Sequence, residues 1–394
     1  MSGSLNNIYN NVSFALLINT EAMTKLQEQV STGSRINRVS DDSTSAYQVM
    51  GLETKQKSLD NYISLISETM DSLELSSNIV QDIVSALGNV KTQLTQVSSG
   101  IYSEEARKRT AESIDNVLEQ VVSLANTKNA GRYIFGGANT STPPYQVQRT
   151  DGKITSVTYQ GSLNSRNIEI APGMQSSSSL IGEEVFRCDN RGAPVFFGDT
   201  GAKAGSGTSS VKGDTWLTVS GSEGNWSLSI DGGLTTFSTD GTDTNLAVKD
   251  SKTGQVLYVD TTQISDTGTE LVRTPGTYDL FGTLISIRDI LNNQANLSES
   301  QIRELQDTTL SSIEEVNNVL VQTEVTAGSK IGFLDNLKAS LTNIKYNAED
   351  ESTRLQEADI AQITVDLSRR EILYQMSLSI AGKLMSMSLL DFIE

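Results

Sequence analysis

Residues 52–101 read LETKQKSLDNYISLISETMDSLELSSNIVQDIVSALGNVKTQLTQVSSGI, and the spacing of their hydrophobic side chains decides the fold. Alternating steps of four and three residues from Leu52 to Ile101 meet mostly apolar side chains, and the alternation never slips. Such spacing places them along one side of a helix. The first proline of the chain is Pro143, so nothing forces an earlier break. The positions are Leu52, Gln56, Leu59, Ile63, Ile66, Met70, Leu73, Ser77, Val80, Val84, Leu87, Lys91, Leu94, Ser98 and Ile101.

A helix of about 50 residues extends roughly 75 Å, and it cannot keep that conformation alone. Ordering the backbone costs about 1–2 kcal/mol for each residue. The apolar seam offsets this cost only where another surface covers it. The stretch therefore predicts partner helices elsewhere in the chain.

The chain on either side of this stretch predicts two shorter helices. The first covers about residues 4–32, and Gly33 suits the left-handed conformation that closes many helices. A charged connector, residues 35–42, follows, and its aspartate pair is placed to cap the long helix. Ser103 is predicted to cap a third helix, which Gly131 ends and which folds back on the long one.

Two more helices are predicted after residue 278. The first buries one face made of Leu280, Leu284, Ile287 and Leu291. The second, capped by Ser298 or Ser300 and running toward Asn347, is the natural partner of residues 52–101. Its seam is predicted at Leu305, Val316, Val319, Phe333, Leu337 and Ile344.

The last helix begins near Leu355 and is apolar on nearly every side beyond Arg370. A helix that is apolar all round must be buried. One chain of this size offers little to cover it, so neighbouring copies are expected to do so.

The middle of the chain has strand character. Asp151-Gly152 lies between two alternating stretches, which predicts a two-residue hairpin. A second hairpin is predicted around Gly221-Ser222-Glu223-Gly224, and Val256–Val259 is predicted as a strand. All five prolines lie between Pro143 and Pro275.

These patterns predict a mainly α fold with an inserted β domain. Both chain ends build a long antiparallel coiled coil or helical bundle. The expected domains are a terminal coiled-coil assembly domain (1–42 and 354–394), a long-helix bundle (43–142 and 278–353) and a β-rich outer domain (143–277).

Composition excludes several functions. A net charge of −18 disfavours nucleic acid and anionic lipid as partners. The chain has no histidine and one cysteine, Cys188, so no enzyme activity, cofactor or metal is expected. Its longest apolar runs fall well short of the roughly 20 residues that span a bilayer, so no membrane insertion is expected. The first residues lack the pattern of a cleaved signal peptide.

Three features of the middle region have plain structural explanations that outweigh functional ones. Asp240, Asp243 and Asn245 suit turns better than a calcium loop, whose spacing they do not match. Trp216 and Trp226 suit a β core better than a glycan-stacking platform. Cys188 is expected to be inert.

Four motifs resemble the flagellin family, and more narrowly its members at the junction between hook and filament. They are VSTGSRIN at residues 30–37 with Asp41-Asp42, GRYIFGG at 131–137, LQEADIA at 355–361 and SLLDFI at 388–393. The resemblance covers roughly residues 1–142 and 278–394.

The resemblance implies an extracellular structural subunit of the bacterial flagellum that connects hook to filament. It would be exported through the flagellar type III channel without a cleaved signal peptide. The implied partners are copies of itself in a junction ring, hook-associated protein 1, flagellin, the flagellar export apparatus and an export chaperone.

The terminal helices and the connector supply the candidate assembly interface. The aspartate pair and nearby arginines are interpreted as polar contacts within or between subunits, with a solvated charged loop as the alternative. The candidate residues are Val12, Leu16, Met23, Leu26, Arg35, Arg38, Asp41, Asp42, Leu373, Met376, Ile380, Leu384, Met387 and Leu390.

Two other function classes stay open. The first is the filament flagellin itself, which would polymerise alone. The second is a secreted coiled-coil adhesin, or an enzyme housed in the β-rich middle, which the absence of histidine disfavours.

Overall fold

The computed structural model describes residues 2–98, 103–293, 297 and 299–393, with side chains except at 2–6, 8, 9, 98, 299, 300, 307 and 384–393. Its helices are α1 Ser2–Thr32, α2 Ser43–Ser98, α3 Glu104–Ala125, α4 Gly182–Phe186, α5 Leu280–Leu291, α6 Glu299–Gln356 and α7 Ile360–Ile393. None of these helices, over the described residues, is long and apolar enough to cross a membrane.

The strands lie between α3 and α5. They are β1 Lys128–Asn129, β2 Arg132–Tyr133, β3 Tyr145–Thr150, β4 Lys153–Tyr159, β5 Asn167–Ala171, β6 Met174–Ser177, β7 Val195–Phe197, β8 Lys203–Ala204, β9 Gly213–Ser222, β10 Asn225–Ser229, β11 Phe237–Thr239, β12 Leu246–Lys249, β13 Val256–Asp260 and β14 Gly268–Thr274. A five-stranded antiparallel sheet has the order β11-β10-β9-β14-β7, and β12-β13-β8 form a second sheet. Hairpins β1-β2, β3-β4 and β5-β6 stand apart from both.

The chain divides into two compact units. The terminal unit comprises Met1–Ser64 and Leu337–Glu394, and the central unit comprises Leu65–Asn336. The predicted fold class is confirmed, because long helices from both ends pair and a β-rich segment is inserted between them.

The central unit has a helical core made by α2, α3, α5 and α6. Ile83 and Leu87 of α2 pack there with Leu118 of α3, Leu284 of α5 and Val316 of α6. All five side chains are almost fully buried. The partner helices that the long apolar seam requires are therefore present.

The predicted seam of α2 alternates between two sets of positions, of which one is buried and the other is mostly half-buried. The set that is buried as predicted comprises Leu59, Ile66, Leu73, Val80, Leu87 and Leu94. Its buried companions lie three residues later, at positions such as Ile83 and Val90. Lys91, a predicted rung, is exposed and forms an ion pair of 2.7 Å with Glu314 of α6. A spacing of 3.5 residues is compatible with a companion three or four residues after each buried position. The packing of the neighbouring helices decides which of these two residues is buried. The side chains of Ser98 and Ile101 lie outside the described residues.

The seam of α6 shows the same kind of error. Leu305 and Val316 are buried as predicted, but Phe333 is 50% exposed. Leu334, one residue later, is fully buried. Ile344 is also exposed, whereas Leu341 is buried. Of the two predicted caps, Ser298 lies outside the described residues and Ser300 lies inside α6.

The end of α3 also differs from the prediction. The helix stops at Ala125, and Gly131 instead occupies the turn of hairpin β1-β2. Ala130 and Gly131 have φ values of 47° and 79°, the sign that a two-residue hairpin turn requires. Glycine is favoured in both settings, so its presence alone did not separate them.

The β-rich middle packs in two parts. Hairpin β3-β4 turns at Asp151-Gly152 as predicted, and its Ile154 is buried in the helical core. The second predicted hairpin, β9-β10, and strand β13 are also confirmed. They build a separate cluster that includes Leu217 and Trp226. Trp216 faces the other way and packs toward α5 and α6.

A buried polar network fixes the five-stranded sheet to the helices. Arg273 of β14 pairs with Asp214 of β9 at 2.9 Å, and their side chains are only 4% and 6% exposed. Arg273 also donates to Ser312 of α6, and Ser286 of α5 donates to Asp214. Each charge is therefore both paired and hydrogen-bonded, as burial demands.

Candidate functional site

The terminal unit brings both chain ends together. Helix α1 packs along α7, and Arg370 of α7 donates to the side chain of Asn19 at 3.1 Å. Nearer the connector, the Ala358 N–H donates to Gly33 O at 3.1 Å. The contacts thus move toward the start of α1 as they move toward the end of α7, so the two helices run antiparallel.

Asp42 caps α2. Its carboxylate accepts hydrogen bonds from the Ser45 N–H at 3.1 Å and from the Ser45 hydroxyl at 2.7 Å. These bonds, with the neighbouring Arg35 guanidinium, lower the pKa of Asp42 to about 2. Of the two aspartates that were expected to cap α2, Asp42 therefore does so.

Asp41 instead binds the loop between α1 and α2 and a lysine of α1. Its carboxylate accepts from the N–H groups of Asn37 and Arg38, at 3.1 and 2.9 Å, and pairs with Lys25 of α1 at 3.0 Å. The Lys25 ammonium is the main cause of its lowered pKa. The loop between α1 and α2 is consequently folded around this carboxylate.

The two arginines of the connector bind within the chain. Arg35 pairs with Asp42 at 3.0 Å and donates to the backbone oxygen of Leu355 at 3.2 Å. Arg38 pairs with Glu28 of α1 at 3.4 Å. Arg35 therefore joins the N-terminal connector to the end of α6.

The backbone completes this junction. Ser34 and Glu357 form an antiparallel bridge, and the Arg35 N–H donates to Gln356 O at 2.6 Å. The Ser34 hydroxyl contacts the same oxygen at 3.3 Å. We call residues 33–42 with 355–358 the connector clasp. Two of the motifs quoted above, one from each end of the chain, meet in it.

Acid should weaken the clasp through Asp42. Its folded pKa of about 2 lies below the ordinary value of 3.8, so its stabilising contribution is complete above pH 3.8 and is lost as the pH falls toward 2. The protection of the Ser45 and Ala46 amides, measured by hydrogen exchange relative to the intrinsic rate at each pH, should therefore fall between pH 5 and pH 2. Asp42→Asn keeps a good cap without a charge and should abolish this acid step. An identical acid profile in both proteins would contradict the assignment.

The outer surface of the paired helices is apolar. Phe14 and Leu17 of α1 are 66% and 65% exposed, and Met376 and Ile380 of α7 are 58% and 50% exposed. The first twenty residues carry no charged side chain, and Lys383 is the one charged residue of the segment 372–390. Exposed apolar surface of this kind marks a contact for another molecule.

The apolar candidate interface residues therefore fall into three groups. Val12, Leu16, Met23 and Leu26 are half-buried on α1, whereas Leu373, Met376 and Ile380 are exposed on α7. The side chains of Leu384, Met387 and Leu390 lie outside the described residues. Six further apolar residues of the terminal helices are exposed but were not predicted as interface residues: Phe14, Leu17, Ile18, Val365, Ile372 and Leu378. The unbroken apolar run of residues 14–18 was a signal for some of them, because it covers more than one helix face.

The other features considered from sequence have structural roles. Asp240 accepts from the Thr242 N–H and hydroxyl, and Asp243 accepts from Thr239. The side chains that the structure describes include no cluster of acidic or cysteine residues able to hold a metal ion. Cys188 is buried, and desolvation raises its pKa to about 11.

Known proteins match this arrangement. Residues 4–140 match the family described as the bacterial flagellin N-terminal helical region. The resemblance to the flagellin family that the motifs indicated is confirmed, and the matched residues include nearly all of α1 and the whole of α2 and α3.

Curated proteins similar to this chain include flagellar hook-associated protein 3 of Escherichia coli, strain K12. That protein is 28% identical over 163 residues, which cover 41% of this chain and 49% of the relative. Flagellar hook-associated protein 3 of Salmonella typhimurium, strain LT2, is 30% identical over 129 residues, covering 32% and 40% respectively. The matches thus span less than half of either relative.

Solved structures share the fold. Flagellar hook-associated protein 3 of Legionella pneumophila superposes with a TM-score of 0.54 at 15% identity. The superposition covers 78% of this chain and 98% of that one. At this identity the match establishes the fold alone.

Proposed function

We propose that the chain is a structural junction subunit of the bacterial flagellum, connecting the hook to the flagellin filament. The observation that supports this proposal most directly is the antiparallel α1–α7 pair, whose charge-poor outer surface exposes Phe14, Leu17 and Met376. Packing copies side by side buries apolar area without bringing like charges together. The names of the curated relatives, hook-associated protein 3, support the junction over the filament.

The proposed partners follow from that position. Copies of the chain form a junction ring, hook-associated protein 1 lies on the hook side, and flagellin lies on the filament side. The export apparatus and an export chaperone handle the subunit before assembly, and the flagellar type III channel delivers it outside the cell. No catalytic activity is proposed.

The proposed domains keep the boundaries given by the sequence. Residues 1–42 and 354–394 form the assembly domain, 43–142 and 278–353 form the long-helix bundle, and 143–277 form the outer domain. The proposed interface consists of the candidate residues on α1, the connector and α7.

Localisation on isolated flagella tests the proposal. Gold-labelled antibody against the central unit should mark one point between hook and filament on each flagellum. A strain lacking the gene should keep its hooks, lose its filaments and release flagellin into the medium. Label along the whole length, or long filaments grown from the purified chain alone, would identify a filament flagellin instead. Unlabelled flagella would reject both.

A further inference from the structure

The connector clasp supplies hydrogen-bond partners to backbone groups near the helix ends, with residues from the N-terminal and the C-terminal parts of the chain. The last carbonyl groups of a helix have no partner inside it. At the end of α6, Leu355 O and Gln356 O accept instead from Arg35 and Ser34 of the N-terminal connector. In return, the Ala358 N–H, just before α7, donates to Gly33 O, just after α1. The N-terminal connector therefore caps the end of α6, and the C-terminal connector binds Gly33, the residue that closes α1.

The clasp also holds α1 itself. Gln29 is a buried polar residue of α1, and its side-chain amide donates to Arg35 O at 2.8 Å. Gly33 closes α1 with φ of 68° and its N–H bonded to Gln29 O. The end of α1, the start of α7 and the end of α6 thus share one hydrogen-bond network.

The bonded groups are more than 300 residues apart in sequence, for example Ser34 and Gln356, separated by 322. A contact of such separation forms only when other structure has already brought both segments together. Opening it from one side leaves polar groups on both sides without partners, which is unfavourable for each.

We propose that the connector clasp is a reciprocal latch that makes α1 and α7 order and open together. The latch follows from these contacts and does not depend on the proposed function. Its consequence for assembly rests on the proposed function: the apolar surface for neighbouring copies would then form or be lost as one unit.

Paired variants with hydrogen–deuterium exchange of the purified full chain test the latch. Ala358→Pro removes the N–H that binds Gly33 O, at a position outside the helices. Exchange should rise about fivefold, the effect of one lost hydrogen bond, and it should rise in α1 as well as in the adjoining α7. Ala361→Pro is the matched control, because proline is tolerated in the first turn of a helix.

The reverse variant starts from the other side. Gly33→Ala strains a left-handed residue whose added methyl meets nothing within 4 Å, so only the backbone conformation is affected. Exchange should rise about fivefold in α7, where no residue has been changed. Gly51→Ala, a helical glycine in equally open space, is its control.

Effects confined to the helix next to each substitution would overturn the latch. Unchanged exchange of peptides from residues 65–336 verifies that the central unit stays folded. Coupled exchange together with unimpaired junction assembly in both variants would keep the latch and reject its link to the proposed function.

Discussion

Arg273→Ala is expected to lower the free energy of unfolding of the central unit by about 3–5 kcal/mol. The substitution leaves the Asp214 carboxylate buried, 6% exposed, without its cation. It also removes the donor to Ser312 and the cation that lies 5.4 Å from the Tyr278 ring. The desolvation of the Asp214 carboxylate is then no longer compensated by a cation. For this reason, truncating one partner lowers the free energy of unfolding by far more than the intact pair contributes to it. Urea unfolding followed by tryptophan fluorescence measures the loss.

Arg149→Ala is the matched control. Arg149 of β3 makes a two-pronged pair with Glu119 of α3, but the two side chains are 44% and 41% exposed. Water replaces that interaction, so the expected loss is below about 1 kcal/mol. Equal losses in both variants would show that burial does not govern these pairs. A double variant, Arg273→Met with Asp214→Leu, should recover most of the stability because no charge is left buried.

The sequence could predict features that a local rule determines. Asp151-Gly152 forms the two-residue turn because both residues adopt positive φ, 51° and 82°, which few other dipeptides accept. Gly33 closes α1 for the same reason. Such positions depend on neighbours in the chain and were therefore found without a structure.

Features that depend on tertiary register could not be found that way. Arg273 and Asp214 face each other only because β14 pairs with β9 in one register, across 59 residues. The choice between Ile83 and a companion such as Val84 on α2 likewise depends on where α3 and α5 pack. The clasp needs two segments from opposite ends of the chain, and the sequence, which predicted the last helix to begin near Leu355, does not indicate that α6 continues to Gln356 and that the two segments meet there.

Met376→Asp is expected to abolish junction assembly while leaving the isolated subunit intact. Met376 is 58% exposed on α7, so a carboxylate there remains hydrated in the monomer. In the proposed assembly the same group would be buried against a neighbouring copy, which costs several kcal/mol without a partner. That corresponds to at least about a hundredfold weaker association. Complementation of a deletion strain, scored by the number of filaments per cell, measures the loss. Leu384→Asp, on the same helix, is predicted to act in the same way.

Gln375→Asp provides the control, because it adds the same charge to the next residue, which is polar and exposed. It should leave most filaments in place, and both purified variants should melt at the temperature of the unaltered chain. Normal filament numbers with Met376→Asp would remove α7 from the interface and contradict the proposed assembly surface. A lowered melting temperature would instead place Met376 in the fold of the single subunit. Since α1 and α7 share one surface, Leu17→Asp, at a position 65% exposed, should reproduce the Met376→Asp result from the opposite end of the chain.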